Sequence, residues 1–468
     1  MGGRRPPKHP QPPANCVSPI LYSLNHSEGN IIPSFLTNLQ SRAADILRLF
    51  SSRGAQEGYL AGIDQGVISL ANFLATIILA RNVDPTQLGV YGVGFVTLRL
   101  IRSVQEGIII QPLNVYGAGM DETEFKAYAT STSLLQIGLA SATALVVYVS
   151  GWVLTLLGND TAGPTLYSLW FAFLAWQLQE YIRRMLYTRG HISQAVINTG
   201  IANAVRLGLM LWWASQGMLS GIAGLDAIAW GALAALVPGL WFTRAYWTRQ
   251  FANLRETWER NWSFGRWVLG GGIASWISVE FYPILTAGMV SFAAAGAYRA
   301  LQNLVAPIHI LLRATDTFLT PRASRLYTQN GEVALERTMR LVYTLAGIPT
   351  LLFLVLAVLF PEQLLRLLYG DTYLEYSNGI ILMAAFYALL FAYWPLQTTL
   401  KAARVSRPIF IANLLAMVLM FSAGIWMIYR WGVYGTIAGQ ALNALVVNIV
   451  LWSAWISLKR NLPSQKHL

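Results

Sequence analysis

The stretch LARNVDPTQLGVYG, Leu79 to Gly92, halts a long apolar run with an Arg, an Asp, a Pro and a Gly before the apolar pattern resumes. The spacing predicts a short link between two helices. Pro85 opens the second, because a proline in the first helical turn gives up no hydrogen bond, and Gly89 lets a neighbouring helix come close. Apolar runs of comparable length recur from about Tyr59 to Leu458, and a helix needs about 20 apolar residues to cross the hydrocarbon core. The link therefore predicts an all-α, polytopic membrane protein that contacts the lipid bilayer throughout.

Composition agrees. Of 468 residues, 55% are hydrophobic and only 12% charged, about half the charged share of an ordinary soluble protein. The net charge of +12 does not indicate nucleic acid, since Lys and Arg are scattered over the links between apolar runs instead of forming one basic face. The single cysteine, Cys16, rules out an intrachain disulfide or a thiolate metal cluster. The glycine-rich GVYGVG (89–94) and GGG (270–272) lie within spans with no strand before them, so neither reads as a nucleotide loop. No cofactor is expected.

Residues 1–57 read as a polar, Pro-rich tail followed by SFLTNLQSRAADILRLF, Ser34–Phe50. There Leu36, Leu39, Ala43, Ile46, Leu47 and Phe50 fall on one face, which fits a helix lying on the membrane surface; an extended linker fits as well. Spans are expected at about 59–80, 88–112, 131–157, 164–188, 194–215 and 222–246, and again at about 265–290, 295–320, 338–360, 377–400, 407–429 and 432–458. That is about 12 transmembrane helices in two sets of six, an N-terminal lobe over 58–250 and a C-terminal lobe over 251–468. Alternate links are basic, for example Arg183, Arg184 and Arg189, then Arg244, Arg249, Arg255, Arg260 and Arg266, whereas 158–163, 216–221 and 291–294 carry no Lys or Arg. The positive-inside rule then places both termini in the cytoplasm, with the chain in the cytoplasmic membrane. The acidic link 113–130 fits this alternation poorly.

The two sets echo one another. Phe73, Gly89, Tyr91 and Pro112 recur as Phe281, Gly296, Tyr298 and Pro321, at offsets of 207 to 209 residues. The Arg189 to Asn198 spacing returns as Arg404 to Asn413, and AWGAL (229–233) as AGQAL (438–442). Each echo alone is weak, and their common order gives them weight. An even number of spans per unit inserts both copies in the same orientation. Such a parallel repeat encloses a cavity about an axis along the membrane normal, the arrangement transporters use for alternating access.

LAR, a variable run with Pro and then LGVYG, together with PEQLLRLLYGDTY at Pro361–Tyr373, resemble signatures of the oligosaccharide flippase branch of the multidrug/oligosaccharidyl-lipid/polysaccharide (MOP) exporter superfamily. The likeness covers nearly all of the chain after about residue 40. It implies a MATE-like fold and transbilayer movement of a lipid-linked oligosaccharide, typically on polyprenyl diphosphate, from the cytoplasmic to the outer face. No catalytic residues come with it.

Charges inside spans are costly unless they face protein or water, so they mark the candidate site. These are Arg99, Arg102 and Glu106 in the second span, Arg206 in the fifth, and Arg299, His309, Arg313 and Asp316 in the eighth, with Asp64 in the first and Glu280 in the seventh. Arg99, Arg102, Arg206, Arg299 and Arg313 are the candidate substrate-binding cations, since a guanidinium matches phosphate oxygens through its planar fork. A plainer role also fits: Arg102 with Glu106 as a self-neutralising i,i+4 pair, Arg299 reaching to the surface, Arg313 paired with Asp316. Asp64, Glu106 and Glu280 are candidates for coupling to H+ or Na+, or counter-ions to the arginines. Trp176, Trp276 and Trp394 are candidates for stacking on sugar rings. The rival within transporters is a cation-coupled multidrug exporter of the same superfamily; more Arg than acid in the spans favours an anionic cargo instead. An enzyme would need a sizeable loop with acid/base groups or a metal site, and no link exceeds about twenty residues.

Overall fold

The computed structural model describes residues 53–249, 252–309, 312, 336, 339–340, 342–344, 346–402, 405 and 407–461. Among them all regular structure is helical, with no strand. In chain order the helices are α1 (Arg53–Asn82), α2 (Pro85–Gln105), α3 (Gln111–Gly117), α4 (Glu122–Leu156), α5 (Ala162–Thr188), α6 (Ile192–Ser215) and α7 (Gly221–Thr243). There follow α8 (Leu254–Glu280), α9 (Tyr282–Met289), α10 (Phe292–Val305), α11 (Gly347–Leu359), α12 (Pro361–Tyr369), α13 (Gly379–Ala402), α14 (Arg407–Leu419) and α15 (Ile425–Asn461). Seven segments among the described residues are long and apolar enough to cross a membrane, so the chain is a multi-pass membrane protein. The expected surface helix over 34–50 lies outside the described residues.

Proline and glycine explain where the expected spans are interrupted. The second span runs from Pro85 to Gly117 through a π-helical turn, Glu106–Ile110, placed just before Pro112. A proline has no N–H and crowds the carbonyl four residues back, and one widened turn absorbs both defects. The seventh span is split at Phe281, with Pro283 in the first turn of α9. A second π-helical turn, Met420–Gly424, joins α14 to α15. The expected boundary between the last two spans is a kink inside α15, where Gly432 has φ +53°, a conformation open mainly to glycine.

The stretch 79–92 forms the joint it predicts. Asp84 caps α2 by accepting a hydrogen bond from the Gln87 amide at 3.1 Å, and Gln87 Oε1 accepts from the Gly221 amide at 2.8 Å. Arg81 spans the two sets, donating to the carbonyls of Leu367 and Leu368 (2.7 Å) in the last turn of α12. Carbonyls there have no intrahelical partner and carry the negative end of the helix dipole. Helix α12 is itself pinned to α10, because Tyr369 Oη donates to the Ala300 carbonyl at 3.1 Å and accepts from Asn303 Nδ2 at 3.1 Å. The two sequence stretches that resemble the flippase signatures are therefore in direct contact.

Helices α2 and α10 cross at the repeat-related glycines. A Cβ on Gly89 would overlap the Phe292 carbonyl oxygen, and one on Gly296 would overlap the Pro85 carbonyl oxygen. Gly89→Val is expected to destabilise the protein by about 1–3 kcal/mol through overpacking. Gly296→Val shares the sign, while Gly138→Val, where a Cβ meets nothing within 4 Å, leaves the thermal unfolding of the purified protein unchanged.

Candidate functional site

Helix ends fix the depth of each charge. The links at 83–84, 157–161, 216–220 and 290–291 gather at one end of the bundle, where Thr86, Asn159 and Ser291 line one cleft. At about 1.5 Å of rise per residue, Arg299 and Arg206 lie roughly 10–14 Å below that end, Arg99 roughly 20 Å, and Glu180 close to 27 Å. The charged side chains thus form a ladder down the interior.

Two adjoining cavities, about 450 and 670 Å³, open along this ladder. Asn72, Phe95, Arg99, Ser103, Gly272 and Trp276 line both. Helices of the first set dominate the smaller cavity. Helices of the second set dominate the larger.

Nearest that end, two guanidiniums come close to one ring. Arg206 of α6 is 5% exposed; its Nη1 donates to Asn72 Oδ1 at 2.9 Å, its Nη2 donates to the Tyr91 hydroxyl, and its Nε is buried without a partner. Arg299 of α10 donates Nη1 to Gln302 Oε1 at 3.1 Å, again with an unpartnered buried Nε. Their guanidinium carbons stand 5.9 and 5.2 Å from the centre of the Phe95 ring. Neither has a carboxylate partner among the described residues. The structure thus brings one cation from each set to the same aromatic side chain, which the linear spacing does not reveal.

Lower down the charges are compensated. Arg99 Nη2 contacts Glu280 Oε1 at 2.6 Å, joining α2 to the end of α8. Glu180 of α5 collects three arginines: Arg183 through two hydrogen bonds (2.8 and 2.7 Å), Arg184 Nε at 2.9 Å and Arg102 Nη2 at 3.1 Å. Arg183 also reaches Asp64 Oδ2 at 2.5 Å, and Tyr187 donates to the same oxygen at 2.8 Å. The self-pairing of Arg102 with Glu106 does not form. The π-helical turn begins at Glu106, whose carboxylate accepts from Gln111 Nε2 at 2.9 Å and has Arg184 Nη2 at 3.8 Å. Arg102 turns instead to Glu180 and stands 5.8 Å from the centre of the Trp176 ring. Arg313 and Asp316 lie outside the described residues. Trp276 and Trp394 line the larger cavity, and so does His309, whose ring is 5.1 Å from that of Tyr387.

Among the described residues, six guanidiniums therefore meet four carboxylates in and around the cavities, and the two without a carboxylate are the two against Phe95. Sequence reading counted Arg183 and Arg184 as residues of a basic link and passed over Glu180, Asn72 and Phe95. The spacing of Glu180 to Arg183 and Arg184, i to i+3 and i+4, is a local signal that marks one helix face. The pairing with Asp64, 119 residues away, has none. Chemically, the junction of the two cavities offers a concentrated anion two forked cations beside one aromatic ring, Arg206 on the wall of the smaller and Arg299 on the wall of the larger, with Asn72 as a polar neighbour.

The comparisons with known proteins agree with this architecture. A family described as polysaccharide biosynthesis protein matches residues 59–327, more than half of the chain. No curated protein sequence matches it. Among solved structures, the chain is similar to the inward-facing conformation of a multidrug resistance MATE family transporter of the MOP superfamily, with TM-score 0.70 and 14% identity over 84% of this chain and 96% of that one. It is similar to the lipid II flippase MurJ in an inward closed conformation, with TM-score 0.65 and 12% identity over 84% of this chain and 87% of that one. It is also similar to a MOP superfamily transporter from Pyrococcus furiosus, with TM-score 0.58 and 14% identity over 86% and 95% of the two chains.

Proposed function

We propose a function from one premise: the chain belongs to the polysaccharide biosynthesis protein family and has the MOP-superfamily transporter fold. The cargo we infer is an oligosaccharide on a polyprenyl diphosphate, moved from the cytoplasmic to the outer face of the cytoplasmic membrane by alternating access. One observation carries this reading: Arg206 is buried without a carboxylate partner among the described residues, and Arg299 of the second set meets the same Phe95 ring. An uncompensated buried cation costs the fold several kcal/mol, and a visiting diphosphate supplies the missing charge. Arg can bind two oxygens of such a group at once, which a headgroup leaving the lipid interface requires.

The basic links support cytoplasmic termini, so that the α2–α10 crossing closes the outer end. Arg102, Arg183 and Arg184 then lie toward the cytoplasmic mouth, where they draw the anionic headgroup inward. Asp64, Glu106 and Glu280 are the groups through which H+ or Na+ would act, by loosening Arg183, Arg184 and Arg99 from their partners. The likeness to MATE structures favours a second reading, a cation-coupled multidrug exporter; the surplus of guanidinium in the cavity speaks against it, since it repels cationic drugs. Proteoliposomes separate the two. The flippase reading expects movement of lipid-linked oligosaccharide extracted from the source cells and no ethidium transport under a proton gradient. Ethidium transport without glycolipid movement would overturn it.

A further inference from the structure

The larger cavity has a different chemistry from the smaller. On the α13 and α14 side its wall carries amides and aromatic rings, Tyr387, Tyr393, Trp394, Gln397 and Asn413, with Lys401 as the one charged residue lining it there among the described residues. Two of the amides, Gln397 of α13 and Asn413 of α14, are half-buried and have no hydrogen-bond partner among the described residues. The Trp394 indole Nε1 and the Tyr387 hydroxyl are buried at the same wall, also without partners. Buried polar groups are ordinarily satisfied, because each one left unpaired is a net loss. Two such buried atoms beside two half-buried free amides along one wall are therefore an informative cluster.

The repeat sharpens the contrast. Asn198, the counterpart of Asn413, is fully buried, accepts from Gln179 Nε2 at 2.7 Å and donates to the Ala235 carbonyl at 2.6 Å. In the first set this asparagine holds helices together. In the second it lines the cavity without a hydrogen-bond partner among the described residues. An amide offers both donors and acceptors to a ligand, and a half-buried indole offers a flat apolar face. Neutral hydroxyl-rich rings match that combination, with edges for the amides and a C–H face for the indole. Phosphate does not, for lack of an apolar face.

We propose that the wall formed by Trp394, Gln397 and Asn413 is a carbohydrate subsite, which receives the first sugars of the cargo while the diphosphate occupies the arginines around Phe95. This rests on the flippase reading and deepens it, dividing the cargo between the two sets: charge on Arg206 and Arg299, sugar on α13 and α14. The volume of about 670 Å³ falls in the usual range for a bound small molecule, so the subsite takes a few sugar rings and leaves the rest of a longer chain in water.

The test uses the full chain in lipid nanodiscs and two probes, inorganic pyrophosphate and the neutral oligosaccharides released by mild acid from the lipid-linked pool of the source cells. Binding is read by native mass spectrometry. Wild type is expected to bind both. Trp394→Leu and Gln397→Leu are each expected to weaken oligosaccharide binding about tenfold, the scale of one lost stacking or hydrogen-bonding contact, and to keep pyrophosphate, which shows that the cavity is still folded. Trp394→Phe, which keeps a ring, restores most of the sugar affinity. Unchanged oligosaccharide binding in both Leu variants, or pyrophosphate binding by wild type without any oligosaccharide, would overturn the subsite alone. Failure of wild type to bind pyrophosphate would instead overturn the flippase reading on which it rests.

Discussion

Glu180→Gln is expected to destabilise the folded protein by about 3 kcal/mol, the lower end of the cost of removing one partner from a buried ion pair. The change leaves Arg102, Arg183 and Arg184 without the carboxylate they share. Arg183 is only 6% exposed and keeps Asp64, whereas Arg102 and Arg184 are 32% and 25% exposed and partly screened by water. That exposure is why the lower figure applies. Asp64→Asn should cost less, because Arg183 retains both hydrogen bonds to Glu180. Thermal unfolding of the purified variants checks the order. A Glu180 variant that melts with wild type, or an Asp64 variant that melts below the Glu180 variant, would show that the cluster is not the electrostatic keystone of the first set.

Arg206→Gln is expected to do the reverse: transport falls about 10- to 100-fold, the scale of one lost hydrogen bond to a charged group, and stability holds or rises. The guanidinium is buried with one idle N–H and no counter-charge among the described residues, so a neutral amide relieves a desolvation cost that no described carboxylate repays. A residue that costs stability in the empty state and is needed for flux is what a substrate contact should be. Arg206→Lys should recover only a fraction of the activity, since an ammonium keeps the charge and loses the fork. Flux of extracted glycolipid in proteoliposomes and thermal unfolding, measured on the same preparations, check both halves. If stability and transport fall together, Arg206 is a structural residue.

The fold was largely legible in the sequence, for reasons visible in particular residues. Span lengths follow from bilayer thickness, and the link at 79–92 follows from Asp84 and Pro85, whose roles are local. That Gly89 admits a neighbouring helix was legible from its missing side chain; that the neighbour carries its repeat counterpart, Gly296, comes from the structure. The interruptions were not legible. Pro112 and Pro283 sit inside apolar runs, and whether such a proline kinks, bulges or breaks a helix depends on neighbours that periodicity does not name. The site was only partly legible. Arg99, Arg206 and Arg299 stood out as intramembrane charges, and the cavities place all three on their walls. Their pairing was hidden, because the carboxylate that decides whether an arginine is neutralised can come from anywhere in the chain: Glu280 for Arg99, Glu180 for Arg102, and none for Arg206 among the described residues.

The guanidiniums against Phe95 are the proposed seat of the cargo's charge, and equilibrium binding of geranylgeranyl diphosphate to the nanodisc-embedded protein tests them most directly. Wild type should bind it with an affinity that falls as salt rises, and the Arg206→Gln, Arg299→Gln double variant should bind it at least tenfold more weakly while binding geranylgeraniol no differently. Equal affinity of wild type and double variant for the diphosphate would contradict that role.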